Sequence, residues 1–457
     1  MGGHEEGPME FDARTVREAL PVGALLSGDD GYDDARISFN GMLDRKPAAI
    51  VSCATTGDVV AAVRSARRLG WPIAVRGGGH SVAGHSIPDA AMVVSLDQMR
   101  AVEVDPERRL ARAGGGAQWN DVDAAAFAHE LAVPGGTFGD TGIGGLTLGG
   151  GLGWLMPVAG LTCDNLVAAE VVTADGNVVV AGPDGDADLL WALRGGGGNF
   201  GIVTNFTYRL MPVGPMWGGV VRYPASAAVQ VITRINEIVA AYPRAMMPTV
   251  SMSKQPELGP IVSFLVGVVD GSDPAAIEAE IRRDLPILEA DLGPRTYLDL
   301  QALAGILPFG LRHYWKGHFV RELSVAMFEA LAATIQDDDA IGHSIILLEG
   351  LVGEGRVEPD DGAAFGQRGA SWNASALAIW ESPDDDERLV AWARRIADIL
   401  APASLTGAGY VNYSPVDETR ERVKAAYGED RYARLLSVKR RLDPDNVFRF
   451  NHNIRPD

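Results

Sequence analysis

Between Pro134 and Trp154 nearly every second residue is glycine: Pro134-Gly135-Gly136-Thr137-Phe138-Gly139-Asp140-Thr141-Gly142-Ile143-Gly144-Gly145, then Leu146-Thr147-Leu148-Gly149-Gly150-Gly151-Leu152-Gly153-Trp154. Such a density argues against a helix or an ordinary strand, because every glycine adds backbone freedom that a regular element must remove. It also does not read as a floppy linker, since the interleaved residues are Ile143, Leu146, Leu148, Leu152 and Trp154 rather than serine and proline. A segment of this kind suits backbone that wraps an extended ligand and lines it with N–H donors. A pyrophosphate attached to a flat ring system has that shape.

A second cluster lies upstream, Arg76-Gly77-Gly78-Gly79-His80-Ser81-Val82-Ala83-Gly84-His85-Ser86. It follows a strand-like run over residues 71–75, which itself follows a helical segment. Three consecutive glycines let the chain bend sharply and bring N–H groups close to an anion, with an imidazole and a hydroxyl directly behind. A third cluster, Arg194-Gly195-Gly196-Gly197-Gly198-Asn199-Phe200-Gly201, contains GxGxxG. It fails as a dinucleotide fingerprint, because a helix over 186–193 precedes it and a strand over 202–210 follows. The chain has no GxxxxGK[ST], GxSxG or HExxH string. Its eight histidines lack metal-ligand spacing, apart from His80 and His85 on one loop, so no metal site is expected.

The RGGGHS string and the long glycine run together resemble the vanillyl-alcohol-oxidase-type FAD-linked oxidases, and within them the berberine-bridge-enzyme-like branch. The likeness extends from about residue 50 to residue 456. It takes in the YVNY string Tyr410-Val411-Asn412-Tyr413 and the ending Asp443-Pro444-Asp445-Asn446-Val447-Phe448, with Asn451-His452-Asn453-Ile454 after it. The resemblance implies an α+β, two-domain PCMH-type FAD-binding fold with an antiparallel-sheet substrate domain backed by helices. The FAD domain is then discontinuous: residues 1–212 and 407–457, with the substrate domain over 213–406.

In the resembled family the histidine at His80 bonds covalently to the 8α carbon of FAD. On the first loop the resemblance assigns Arg76, Gly77, Gly78, Gly79, His80, Ser81 and His85 to the cofactor. On the second it assigns Gly136, Thr137, Phe138, Asp140, Thr141, Gly142, Gly144, Gly145, Gly149, Gly150 and Leu152. Farther along it assigns Gly201, Val203, Tyr413, Asn451 and Asn453. Plant-type members carry a second, cysteinyl bond; Phe138 stands there, so a single tether is expected. Val82 and Leu152 replace two tyrosines of those members, and Thr141 occupies the position that admits or blocks dioxygen.

The implied activity is oxidation of a small organic substrate by hydride transfer to the flavin, with dioxygen as acceptor and hydrogen peroxide as product. The alternatives are a flavin dehydrogenase with another acceptor, and a nucleotide- or nicotinamide-binding protein without flavin chemistry. Only Asn373 and Ser375 are polar on the strand ending at Trp380, so a hydrophobic alcohol, amine or ring compound is expected. The candidate catalytic residues are Tyr410, Asn412, Tyr413 and Thr141. On an extended segment Tyr410 and Asn412 share a face while Tyr413 points away. Tyr410 is therefore the expected base, with Lys316 or His318 as the cation that a phenolate needs.

Composition narrows the partners. Across 457 residues, 60 acidic against 40 basic side chains give a formal net charge of −20, which repels nucleic acid and anionic lipid. The expected partners are therefore a small-molecule substrate and dioxygen, with the protein a monomer or small homo-oligomer. Cys53 and Cys163 are too few for a disulfide framework and read as buried thiols. The acidic first twenty residues lack an apolar segment that directs secretion, and no apolar run reaches the roughly eighteen residues of a membrane span, so a cytoplasmic protein is expected.

Along the rest of the chain, residues 1–15 read as a mobile tail. Thr55-x-x-Asp58 reads as a capping box, Gly70 as a helix stop, and Ala174-Asp175-Gly176 as a hairpin turn. Strands are expected over 217–223, 249–253, 261–269, 343–351 and 374–380. Helices are expected over 119–131, 226–241, 274–290, 321–335, 385–400, 417–427 and 431–442. Residues 312–319 read as a dense aromatic and ionisable cluster that either lines a pocket or packs at a domain interface.

Overall fold

The computed structural model describes residues 13–336 and 342–457. The tail expected over residues 1–15 lies outside the described residues up to residue 12, and helix Ala13–Ala19 takes up the remainder. Three sheets organise the chain. The first is a small parallel sheet in which Met92–Ser95 runs between Ala49–Ser52 and Ile73–Arg76. Helix Thr56–Leu69 crosses over between the two outer strands. Thr55 accepts from Asp58 N and the Asp58 carboxylate accepts from Thr55 N, so both ends of the capping box are present. Val59, Val63 and Ala66 share the buried face, and Gly70 (φ 65°) ends the helix.

The second sheet has five antiparallel strands in the order Val102–Asp105, Leu110–Gly114, Ile202–Arg209, Leu166–Val172, Val178–Ala181. The hairpin expected at Asp175-Gly176 joins the last two. The C-terminal helices Arg420–Tyr427 and Glu429–Leu442 bury Val423, Tyr427, Leu435 and Val438 in the core of this sheet, beside helix Ala187–Leu193. The tail then returns to the first sheet, where Phe448 bridges Ile73.

The third sheet has seven antiparallel strands, in the order Glu289–Arg295, Met216–Pro224, Gly259–Val268, Thr249–Gln255, Ile345–Gly350, Trp372–Trp380, Arg312–Val320. Helices Ala228–Ala241, Pro274–Arg282, Val325–Gln336 and Asp386–Leu400 cover one face and share a core with it. The other face turns toward the glycine loops.

Three expectations are corrected here. Helix 274–290 stops at Arg282, because Pro286 cannot continue it, and Glu289–Arg295 becomes an edge strand that tolerates Pro294. The cluster at 312–319 is the opposite edge strand, Arg312–Val320. Part of the glycine run is helical after all: Ile143–Leu148 forms a turn and a half, within which Ile143 and Thr147 are buried.

Candidate active site

The two glycine motifs meet backbone to backbone. A Cβ on Gly78 would lie 2.3 Å from Gly142 N, and one on Gly142 would lie 2.3 Å from Gly78 N. Neither position has room for any other residue. The second loop is pinned there by the start of helix Trp119–Phe127, where Trp119 N donates to Thr141 O (3.0 Å) and Asn120 N to Gly139 O (2.7 Å).

Along this seam runs a cavity of about 300 Å³, part of it open to solvent. That lies at the lower end of the roughly 300–1,000 Å³ of small-molecule and cofactor sites. One stretch of wall is apolar, with Ile73, Val75, Leu96, Ile202, Val203 and Phe206. The loop Gly77–Ser81, the helix start at Gly142 and the third loop at Gly197, Gly198 and Gly201 line the rest. At Gly145 and Gly198 a Cβ would meet nothing within 4 Å, so bare backbone faces the space.

His80 sits on this wall with its side chain 10% exposed. Phe39 lies against its ring (centroids 4.7 Å), Phe309 approaches edge-on (5.1 Å), and Asp140 Oδ2 is 3.3 Å from Nε2. His313 stacks on the far face of Phe39 (4.3 Å), and burial pushes its imidazole down to about 4. His85 and His452 form a half-buried T-shaped pair at the cavity wall (5.4 Å). Burial and then His452 push His85 down to about 3, so both imidazoles stay neutral at physiological pH.

The third sheet supplies the opposite side. Strand alternation puts His313, Trp315, Gly317 and Phe319 toward the cavity and Tyr314, Lys316, His318 and Val320 toward the helices. Trp315 accordingly packs against Tyr413 (5.3 Å), whereas Tyr314 bonds Asp417 and Arg394 and His318 contacts Ser404 Oγ. Lys316 and His318 are therefore on the wrong face to act as the cation expected for a phenolate. Burial also pushes His318 down to about 4.

The YVNY string is not extended. Val411–Tyr413 forms one 3₁₀ turn, and this brings both tyrosines to the cavity. Tyr410 Oη accepts from Gly151 N (2.9 Å) and Asn412 Nδ2 (2.9 Å), and Asn412 Nδ2 also reaches Leu146 O. Burial nevertheless holds Tyr410 well above the ordinary tyrosine range. Tyr413 Oη donates to Glu349 Oε1 at 3.4 Å. Glu349 is 2% exposed and accepts from Asn373 Nδ2 (2.8 Å); burial, offset in part by these two donors, pushes its carboxyl up to about 7. Ser375 completes the chain by donating to Asn373 Oδ1. The two polar residues of strand Trp372–Trp380 thus serve a carboxylate on the neighbouring strand. Around them are Val82, Leu347, Leu377, Leu307 and Trp315, all apolar.

Most residues assigned from the sequence come together on this wall: Gly77, Gly78, Gly79, His80, Ser81, His85, Gly136, Thr137, Phe138, Thr141, Gly142, Gly144, Gly145, Gly149, Leu152, Gly201, Val203, Tyr410, Asn412, Tyr413 and Asn451. Four do not line it. The Arg76 guanidinium turns to the other side of the loop and bonds Ala35 O. Asp140 stands behind His80, Gly150 packs against Phe365, and Asn453 lies beyond the wall. The sequence reading missed Phe39, Leu307, Phe309, His452 and Glu349, whereas Trp315 lies in the 312–319 cluster it singled out. It also missed Asn40, whose side chain ties Val82 O to both backbone groups of His313. A cavity lined by bare glycine backbone and an apolar stretch, with buried unbonded atoms at His80 Nε2 and Asn451 Oδ1, fits FAD. Among the described residues no cluster could hold a metal ion, and no helix is long and apolar enough to cross a membrane.

Comparison with known proteins agrees with that fit. Residues 47–182 match the family described as FAD binding domain, and residues 409–455 the family described as berberine and berberine like. The (R)-6-hydroxynicotine oxidase of Paenarthrobacter nicotinovorans is 30% identical over 447 residues, covering 95% of this chain and 96% of that one. An FAD-linked oxidoreductase of Bacillus subtilis, YgaK, is 29% identical, with 95% and 97% covered. Among solved structures, 6-hydroxy-D-nicotine oxidase from Arthrobacter nicotinovorans superposes with a TM-score of 0.88 at 29% identity, covering 96% of this chain and 98% of that one. Physcomitrella patens BBE-like 1 shares the fold, with a TM-score of 0.86 at 23% identity over 97% of this chain and 99% of that one. The fold is thus the α+β PCMH-type FAD-binding fold, and the chain belongs to the berberine-bridge-enzyme-like FAD-linked oxidoreductases.

Proposed function

We propose that this enzyme is an oxidase carrying FAD covalently through His80 alone, and that its substrate is a small hydrophobic alcohol, amine or ring compound. The observation that carries this reading is the pairing, across one cavity, of His80 at the junction of the two glycine loops with Tyr413, whose hydroxyl donates to the buried Glu349 carboxylate on a largely apolar sheet face. A relative at 30% identity is named for oxidising 6-hydroxynicotine, a ring compound with an amine, which is consistent with this class. Bound flavin supplies the redox chemistry, accepting hydride from the substrate and passing electrons to dioxygen to give hydrogen peroxide.

The chain's own task is to position the substrate and remove its proton. Val82, Leu307 and Trp315 exclude water from the reacting side. The proton-accepting group is the Tyr413–Glu349 pair rather than Tyr410. Tyr410 Oη has two donors and, among the described residues, no hydrogen-bonded carboxylate, whereas Tyr413 Oη can take a proton while handing its own to Glu349 Oε1. No free phenolate then has to form in an apolar site, where burial holds Tyr413 far above its ordinary value. Phe138 cannot bond to a flavin, and Cys163 is buried with its thiol directed to Asp164, so neither supplies a second tether.

The test is direct. Acid-precipitated protein should stay yellow, peptide mapping should place FAD mass on the His80 peptide alone, and His80→Ala should release the flavin. Flavin extracted freely from the wild-type protein would refute the tether. Substrates are found by anaerobic bleaching of the flavin. Readmitted air should then restore the colour with one equivalent of hydrogen peroxide; slow reoxidation would instead indicate a dehydrogenase.

A further inference from the structure

The imidazole of His80 is held on three sides. Phe39 and Phe309 fix the plane of the ring, and Asp140 lies at one end, its Oδ2 3.3 Å from Nε2. That approach is outside the angular range of a hydrogen bond, and Nε2 is buried with no other partner among the described residues. Asp140 Oδ1 is likewise buried and unbonded. Nδ1 is neither buried in this way nor bonded to protein, so it is the ring nitrogen open to the cavity. Asp140 is held in place through its backbone neighbours, since Gly139 O and Thr141 O both accept from the first turn of helix Trp119–Phe127.

We propose that Asp140 is the positioning residue for covalent attachment: its carboxylate keeps the imidazole proton on Nε2 and leaves Nδ1 as the nucleophile. This rests on the reading of His80 as the tether. A neutral imidazole carries one proton on one of two nitrogens, and a carboxylate beside Nε2 selects the tautomer with the proton there. In the attachment step a bond forms from Nδ1 to the 8α carbon of FAD, and that carbon loses one proton, which together with the Nε2 proton ends on the hydrogen peroxide formed at reoxidation. The ring, now positively charged, loses the Nε2 proton, for which Asp140 is the adjacent acceptor. The electron pair remains on the flavin, and dioxygen reoxidises it with hydrogen peroxide as product. Asp140 thus both orients the attacking nitrogen and stabilises the charge that develops on the ring.

The experiment uses the full chain prepared without flavin, reloaded with FAD in air. Covalent incorporation is followed by in-gel fluorescence, and the linkage isomer is identified by NMR of the isolated flavin peptide. Wild type should be linked through Nδ1. Asp140→Ala should bind FAD yet attach it at least about tenfold more slowly, a mild loss for removing a carboxylate that orients a histidine, and should yield some Nε2-linked product. Asp140→Asn keeps a carbonyl that can accept the Nε2 proton, so it should attach at an intermediate rate and through Nδ1 only. A mere packing role would not change the isomer. Nε2 linkage in the wild type, or wild-type rate and isomer in both variants, would overturn the proposal while leaving the tether intact. If Asp140→Ala fails to fold, the wild-type isomer and the Asp140→Asn rate still decide. Wild-type protein that never attaches FAD covalently would overturn the tether, and this inference with it.

Discussion

Glu349 shows how a single buried group sets the behaviour of the site. A carboxyl in an apolar pocket pays for ionisation with lost hydration, and here that outweighs the donors Asn373 and Tyr413 to leave it near 7. A proton acceptor must be deprotonated to act, so the anaerobic rate of flavin reduction should rise with pH through about 7 and fall below it. Glu349→Gln should lower that rate by roughly 10²-fold, within the usual range for a general base, and remove the pH-dependent limb. Tyr413→Phe should produce a similar loss, and Tyr410→Phe a much smaller one. Stopped-flow reduction across pH 5–9 measures all three; a Tyr410→Phe loss as large as that of Tyr413→Phe would return the role to Tyr410. Sequence reasoning missed Glu349 for a physical reason. It ends an apolar run, Ile345-Ile346-Leu347-Leu348-Glu349, and gains its meaning only from the register that pairs it with Asn373 across two strands.

At the scale of elements, what was legible followed from local rules. Thr55 with Asp58, Gly70 and Asp175-Gly176 each marked a boundary through chemistry confined to four residues or fewer, and the structure places all three there. The glycine loops were legible as ligand-lining backbone for the same reason: their chemistry is contiguous. What was not legible depends on partners distant in the chain. Phe39 converges with Phe309 and Trp315 around His80 and Tyr413 from a segment some 270 residues away, and nothing local marks it as their neighbour. Strand Arg312–Val320 was obscured because ionisable and aromatic residues fall on both of its faces. The contact of Gly78 with Gly142 is the element-scale feature most open to test. Gly78→Ala places a methyl 2.3 Å from backbone that cannot move aside as a side chain can. It should cost at least the roughly 1–3 kcal/mol of an overpacked core site and reduce the FAD content of purified protein. Gly145→Ala, whose Cβ meets no protein atom within 4 Å, should keep its stability without flavin and lose only FAD. Denaturant unfolding of flavin-free protein, set beside flavin absorbance, separates the two effects.

At the scale of the whole molecule, the cavity exists because the third sheet is docked onto the glycine loops, and among the buried contacts that span that junction is one from helix Tyr297–Gln301. Asp123 on helix Trp119–Phe127 accepts from Gln301 Nε2 (2.7 Å), and the same nitrogen donates to Gly136 O (3.0 Å) on the cavity wall. Asp123 Oδ1 and Gln301 Oε1 remain buried without partners. Burial pushes the Asp123 carboxyl up to about 7, only partly offset by Gln301. A folded-state value above the unfolded one means that the protonated form suits the fold. This contribution is fully present below the unfolded value of about 4 and is lost as pH rises to about 7. Asp123→Asn removes the titration, keeps an oxygen for Gln301 Nε2 and offers an N–H to the unbonded Gln301 Oε1. Its unfolding midpoint should therefore exceed that of wild type at pH 8, and the gap should close toward pH 4. Glu349 titrates in the same window, so the difference between variant and wild type at each pH is the quantity to follow. An Asn variant less stable than wild type at pH 8 would mean that a charged Asp123 holds the two parts together. A gap unchanged between pH 4 and pH 8 would mean that Asp123 does not titrate there.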